Sequence, residues 1–259
     1  MKKNGKLAEK VAIITGGASG MGRGMCLEFA SQGALIGVAD VNKEGATRVA
    51  EEVQGLGGQA IALEVDVREH KKVEEAVAKI FERFGTCDIL ANCAGFNQFR
   101  DFKDTTIDHW EYVRSINLDG TWYFSKAVAP IMMENLTGKI LNIGSGAAIQ
   151  GIPQAIPYAT SKHGVVGLTR ALAVDLGPYN INVNCICPGT IETPMLKQAA
   201  SEAYKVAELP RYPLGRLGEI SDVVKAALFL VSSDADWVTG VVLPVDGGLT
   251  SCIRVRNTF

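Results

Sequence analysis

Val11-Ala12-Ile13-Ile14-Thr15-Gly16-Gly17-Ala18-Ser19-Gly20-Met21-Gly22 is the stretch on which this chain turns. Its first four residues are a continuous apolar run, which suits a strand buried on both faces. Gly16, Gly20 and Gly22 then follow in G-x-x-x-G-x-G spacing. Glycine allows a tight turn and removes side chains where backbone must approach another group closely. A helix opening at such a turn offers free N–H groups and the positive end of its dipole, a natural seat for a pyrophosphate. A glycine-rich turn alone says only that the chain turns, but its surroundings sharpen the reading. The turn follows the first strand and opens a helix. An acid, Asp40, then ends the second strand about 20 residues on, where a ribose diol would sit.

Working outward, β-rich runs recur at 11–15, 34–40, 59–65, 88–92, 139–143, 181–186 and 241–245. Helix-like stretches lie between them at 21–31, 43–56, 69–84, 107–134, 155–176 and 219–231. That alternation predicts an α/β fold, a doubly wound parallel sheet of about seven strands with helices on both faces. No Pro/Gly/Ser-rich linker divides the chain, so residues 1–259 read as a single domain. Segment 190–218 is the least regular and is the expected lid over a site.

The bulk properties narrow the class. A chain of 259 residues is long enough to bury a large core. Apolar residues make up 47% and charged residues 21%, an ordinary soluble balance. A net charge of −2 gives no electrostatic case for nucleic acid or an anionic membrane. Residues 1–6 carry lysines without an apolar core behind them, so no secretory signal is expected there. No run approaches the length of a spanning helix. The six cysteines form no CxxC pair and the three histidines are scattered, so no metal site is expected. Cys185 and Cys187 alternate on one strand and read as core residues facing the same side. Free thiols without an export signal point to the cytoplasm.

A second constellation lies downstream. Tyr158 and Lys162, in Tyr158-Ala159-Thr160-Ser161-Lys162, stand at i and i+4 and share a helix face. Y-x-x-x-K arises readily by chance in a chain of this size. Ser145 gives it weight, because it ends a predicted strand at the edge where ligands of open α/β sheets bind. A place for a pyrophosphate and a means of moving a proton at a hydroxyl together suggest hydride transfer between a nicotinamide cofactor and an alcohol.

These motifs resemble the short-chain dehydrogenase/reductase family from about Lys10 to Gly248. The similarity rests on Thr15-Gly16…Gly20-Met21-Gly22, Asp66-Val67, Asn92-Cys93-Ala94-Gly95, Ser115-Ile116-Asn117-Leu118, Ser145, Tyr158…Lys162, Pro188-Gly189…Thr193 and Val245-Asp246-Gly247-Gly248. The resemblance implies a Rossmann fold and a catalytic set of Asn117, Ser145, Tyr158 and Lys162. Tyr158 would be the acid/base, and Ser145 would hold the substrate oxygen. Lys162 would favour the phenolate and reach the nicotinamide ribose, and Asn117 would hold a water joining Lys162 to solvent. Cofactor contacts would come from Gly16, Ser19, Gly20, Met21, Gly22 and Asp40, with Asp66 and Val67 at the adenine. Asn92, Ala94, Gly95, Pro188 and Gly189 would add to them, with Ile191 and Thr193 at the carboxamide and Tyr158 and Lys162 completing the set. Two positions depart from the family pattern. Cys93 stands where a second Asn is usual, and Gly144 replaces a small hydroxyl residue or Ala before Ser145.

Asp40 would repel a 2′-phosphate, and its neighbours Ser19 and Val41 carry no positive charge, so NAD is expected over NADP. The substrate is expected to be a neutral secondary alcohol or its ketone. Candidate pocket residues are Phe96, Asn97, Ala147, Ile152, Gln154, Ile156, Thr190, Met195 and Leu196. Lys197, Lys205 and Arg211 are lid cations. A polyol dehydrogenase, a 3-hydroxyacyl/3-oxoacyl reductase and a non-catalytic NAD-binding protein are the alternatives; the intact Ser145/Tyr158/Lys162 set favours the enzyme. Similar proteins are tetramers paired through the helices equivalent to 107–134 and 155–176. A homotetramer is therefore expected here too. Val165, Val166, Leu168, Leu172 and Val174 place apolar groups on more than one helix face.

Overall fold

Alternate residues of the first strand feed two different cores. In the computed structural model, which describes residues 5–193, 196 and 207–251, β1 (Val11–Thr15) is buried along its whole length. Ala12 and Ile14 pack into one apolar cluster, and Val11 and Ile13 into another. That is the period-2 consequence of a strand covered on both faces. The helices supply the covers. α1 (Gly20–Ser31), α2 (Lys43–Gly55) and α7 (Ile220–Val231) bury Phe29, Val53 and Leu230 in the first cluster. α3 (His70–Phe84), α5 (Gly120–Asn135) and α6 (Ile156–Leu176) bury Ile80, Phe124 and Leu172 in the second.

The remaining strands are β2 (Leu35–Asp40), β3 (Gln59–Glu64), β4 (Ile89–Asn92), β5 (Gly138–Ile143), β6 (Ile181–Pro188) and β7 (Val242–Val245). All pair in parallel, in the order β3-β2-β1-β4-β5-β6-β7. The order reverses beside β1: the chain steps outward to β2 and β3, then returns to β4 on the other side. In an open α/β sheet such a switch point leaves a crevice at the carboxyl ends of the strands.

A buried polar chain holds the sheet's centre to the helices behind it. Asn92 Nδ2 donates to Asn142 Oδ1 at 2.9 Å and to Ser125 Oγ at 3.2 Å. Asn142 Nδ2 donates in turn to Thr169 Oγ1 at 3.0 Å. A buried polar group left without a partner costs about 1–3 kcal/mol, so these bonds fix the placement of α5 and α6 on β4 and β5.

The expected continuous helix 107–134 is two helices. α4 (Ile107–Arg114) and α5 are joined by a wide π turn, Ser115–Asp119. The reason is local: Asn117 is fully buried in that turn and bonded to a neighbouring loop. Gly120 lets the turn lie flat, since a Cβ there would stand 2.7 Å from Val67 Cγ2. Inserted π turns often mark functional positions.

Candidate active site

The glycine turn is built by close backbone approach. Gly16 and Gly20 have φ of +64° and +53°, a region that side chains disfavour. A Cβ at Gly22 would lie 2.1 Å from the Gly16 carbonyl oxygen, and one at Gly16 would lie 2.9 Å from Ala94 Cα. Thr15 secures the other wall: its Oγ1 accepts the N–H groups of both Cys93 and Ala94 at 3.0 Å. These bonds join the ends of β1 and β4. Thr15 heads the quoted motif, but this bridging role was not read from the sequence; a hydroxyl residue ending a strand before a glycine turn was the available signal.

Asp40 ends β2 beside this turn. Its Oδ2 accepts the Ala18 N–H at 3.0 Å and its Oδ1 accepts the Asn42 N–H at 2.9 Å. The carboxylate is thereby oriented at the cavity rim. At the end of β3, Arg68 grips both oxygens of Asp66, and that guanidinium bond is the main reason the Asp66 carboxyl sits below the usual carboxylate range. Arg68 also lies over the Tyr112 ring, 5.0 Å from its centroid. The sequence reading placed no cation in this region, because Arg68 is distant from Ser19 and Val41 in sequence and joins them only through the pairing of β2 with β3.

Ser145 sits half-buried just beyond β5 and caps a short 3-10 turn, its Oγ accepting the Ala147 N–H at 3.1 Å. Tyr158 and Lys162 project from the first two turns of α6. Lys162 is buried; its Nζ donates to the Ile143 carbonyl at 2.7 Å and lies 5.8 Å from the Tyr158 ring centroid. A Cβ on Gly95 would be 3.5 Å from that Nζ, so the bare glycine gives the ammonium its room. Asn117 Oδ1 accepts the Phe96 N–H at 2.8 Å, while its Nδ2 donates to the Phe96 carbonyl and to Ser161 Oγ. Both amide hydrogens are taken. The water-holding role implied by the resemblance would have to use the remaining lone pairs.

One cavity of about 500 Å³ runs through all of this. The glycine turn, Asp40, Asp66 and Val67 line one end, and Ser145, Tyr158 and Lys162 the other. Ser19, Met21, Ala94, Gly95, Pro188, Gly189, Ile191 and Thr193 also line it. Asn92, expected among the cofactor contacts, does not: its side chain is buried on the opposite side, in the polar chain to Asn142. Asn117 likewise stands behind the wall. Among the expected pocket residues, Phe96 and Asn97 line the cavity, and Asn97 Oδ1 has no hydrogen-bond partner. Gln154 turns away and donates to Asp101 Oδ1 at 2.8 Å. Thr190 lines a neighbouring cavity of about 370 Å³. Met195, Lys197 and Lys205 lie outside the described residues.

The family model described as Enoyl-(Acyl carrier protein) reductase matches residues 16–250. The chain is 37% identical to the 3-oxoacyl-[acyl-carrier-protein] reductase FabG of Thermotoga maritima, over 94% of this chain and 99% of that one. It is 35% identical to the cyclohexanol dehydrogenase of an Acinetobacter species, over 95% and 97% of the two chains. Its fold superposes on a short-chain type dehydrogenase/reductase from Mycobacterium marinum with a TM-score of 0.91, at 30% identity, covering 95% of this chain and 97% of that one. The chain belongs to the short-chain dehydrogenase/reductase family of oxidoreductases. Enzymes of this family work with nicotinamide cofactors. The residues present fit such a dinucleotide: the tight turn whose backbone contacts exclude a Cβ at Gly16 and Gly22 lines the cavity together with Asp40. Among the described residues no helix is long and apolar enough to cross a membrane, and no cluster of His, Cys, Asp and Glu could hold a metal.

Gly22→Ala is expected to raise the Kd for NAD about tenfold or more, measured by titration calorimetry, with the far-ultraviolet circular dichroism spectrum kept. Wild-type affinity in that variant would show that the turn does not seat the cofactor.

Proposed function

We propose that this enzyme interconverts a neutral secondary alcohol and its ketone with NAD, using Tyr158 as the acid/base. The observation that carries the reading is the single cavity shared by the glycine turn and by Ser145, Tyr158 and Lys162. The whole chain acts as one catalytic domain, with segment 190–218 as its lid.

Bound nicotinamide supplies the acceptor or donor of hydride. The chain's own residues manage the proton and the oxygen. Ser145 Oγ already accepts the Ala147 N–H, so its hydroxyl hydrogen is free to donate to the substrate oxygen and hold it. Tyr158 takes the alcohol proton in oxidation and returns it to the carbonyl oxygen in reduction. Lys162 stands one helical turn on, its ammonium 5.8 Å from the Tyr158 ring centroid, where it attracts the negative charge that proton donation leaves on Tyr158.

Two observations support NAD. Asp40 places a carboxylate at the rim, where a 2′-phosphate would meet like charge. Arg68, a cation in the same cavity, is already paired with Asp66. A neutral substrate is supported by the lining: its cations among the described residues are Lys162 and Arg68, and both have partners. Arg211 in the lid pairs with Glu208. The apolar lining of Phe96 and Ile116 suits a ring or short alkyl alcohol, in keeping with the cyclohexanol dehydrogenase among the relatives. Asn97 offers an acceptor to a second hydroxyl.

A homotetramer paired through α5 and α6 is part of this reading. Trp122 and Val174 leave 41% and 76% of their surface exposed on those helices, apolar area that a second copy would cover. The expectation is a mass of four chains by light scattering at micromolar concentration, and a single-chain mass would refute it.

Tyr158→Phe is expected to lose nearly all turnover while NAD still binds. Retention of more than a tenth of the wild-type kcat would remove Tyr158 from the acid/base role. A panel of matched neutral and anionic secondary alcohols, each assayed with NAD and NADP, is expected to give the highest kcat/KM for a neutral alcohol with NAD. Asp40→Ala with Val41→Arg should move the cofactor preference toward NADP. An anionic alcohol preferred a hundredfold, or NADP used as well as NAD, would overturn the corresponding half of the proposal.

A further inference from the structure

Beneath Ser145 lies a pair of sulfur atoms that the catalytic reading leaves unused. Cys185 and Cys187 stand two residues apart on β6 and point to the same side, their sulfurs 4.0 Å apart. Both are fully buried. They meet Gly144, the last residue before Ser145. A Cβ built on Gly144 would lie 2.7 Å from Cys187 Sγ and 2.9 Å from Cys185 Sγ. Contacts that short do not occur between real atoms, so the two sulfurs occupy the space that the glycine leaves. The Gly144 N–H also donates to the Ile186 carbonyl at 2.7 Å, which ties the strand end to the residue between the two cysteines.

The same sulfurs reach the other half of the site. Cys185 and Cys187 form a small separate core cluster with Ala148, Val165 and Val166. Ala148 belongs to the 3-10 turn that Ser145 caps, and Val165 and Val166 lie on α6, one turn beyond Lys162. The pair therefore packs on one side against the backbone carrying Ser145 and on the other against the helix carrying Tyr158 and Lys162. The hydrogen bond between the thiols, with burial, pushes Cys185 far up. Cys187 is held down chiefly by the same bond.

We infer that Gly144, Cys185 and Cys187 are positioning residues, a fitted set that fixes the separation of Ser145 from Tyr158 and Lys162. The inference rests on the proposed roles of those three residues. Interiors are close-packed and transmit small displacements, and a misplacement near 1 Å at a reacting centre costs about a hundredfold in rate. A group added at Gly144 has no room while the two sulfurs stay in place. Ser145 must then move away from the substrate oxygen while the cofactor end of the cavity stays as it is.

The test uses the full chain in four forms: wild type, Gly144→Ala, Cys185→Ala with Cys187→Ala, and the triple variant. Gly144→Ala is expected to lower kcat by about ten- to a hundredfold, with the calorimetric Kd for NAD within about twofold of wild type. Adding both cysteine substitutions to it should restore kcat to within about threefold of the variant carrying the two cysteine substitutions alone, because the removed sulfurs make room for the new methyl. Wild-type kcat in Gly144→Ala, or a triple variant no better than Gly144→Ala, would overturn the inference. If Gly144→Ala does not fold, Cys187→Ser and Cys187→Val decide the matter. Ser, smaller and still polar, should keep kcat within about threefold, and the bulkier Val should lower it about tenfold at unchanged NAD affinity. Equal kcat in those two variants would overturn the inference. The underlying catalytic reading fails separately, through a Tyr158→Phe variant that stays active.

Discussion

A hydroxyl group and an absent methyl group join the ends of β1 and β4 at the centre of the sheet. Thr15 Oγ1 takes two consecutive N–H groups from the β4 side, and Gly16 lets the two backbones approach where any Cβ would collide with Ala94. These two details keep the ends of β1 and β4, and the first residues of the turns that follow them, beside each other. The sheet reverses its order at this point. Parallel pairing with helices on both faces thus leaves a crevice here, and the glycine turn lines it at the start of α1.

The reacting half of the site is anchored less by surface contacts than by buried polar bonds. Asn117 clamps the Phe96 backbone from its π turn, and Lys162 is tied to the strand end through Ile143. Asn142, on β5, is bonded to Thr169 on α6. These bonds connect α4, α5 and α6 to the ends of β4 and β5. The Lys162 and Asn142 bonds are buried, so breaking either leaves an unsatisfied group. The site is consequently stiff where proton transfer needs it to be, and its more open edges are the loops around residues 97–104 and 149–155.

Much of this architecture was legible in the residues. Apolar runs such as Val11–Ile14 mark strands buried on both faces, and all seven strands begin and end within two residues of where that pattern puts them. Tyr158 and Lys162 are one helical turn apart, so their shared face follows from geometry alone. What the sequence hid was three-dimensional neighbourhood. The stretch 107–134 reads as one helix, because the π turn at Ser115–Asp119 joins α4 to α5 with helical backbone at both its ends. Arg68 reaches Asp66 and Tyr112 at the cavity wall through strand pairing that no local pattern announces. Asn92 belongs to a motif, but its side chain leaves the strand on the face away from the cleft and bonds into the core. Gly144 in sequence is only a departure from the family pattern; in the fold, two sulfurs fill the space that a side chain would have used.

The central claim is that one cavity brings a nicotinamide dinucleotide and a secondary alcohol together so that hydride passes directly between them. Label transfer tests it most directly. A neutral secondary alcohol carrying deuterium on its carbinol carbon is incubated with the enzyme and NAD in ordinary water, and the reduced cofactor is examined by mass spectrometry and proton NMR. The account predicts one deuterium on the nicotinamide ring for each ketone formed. Ketone formed with an unlabelled reduced cofactor, or with no cofactor reduced at all, would contradict it.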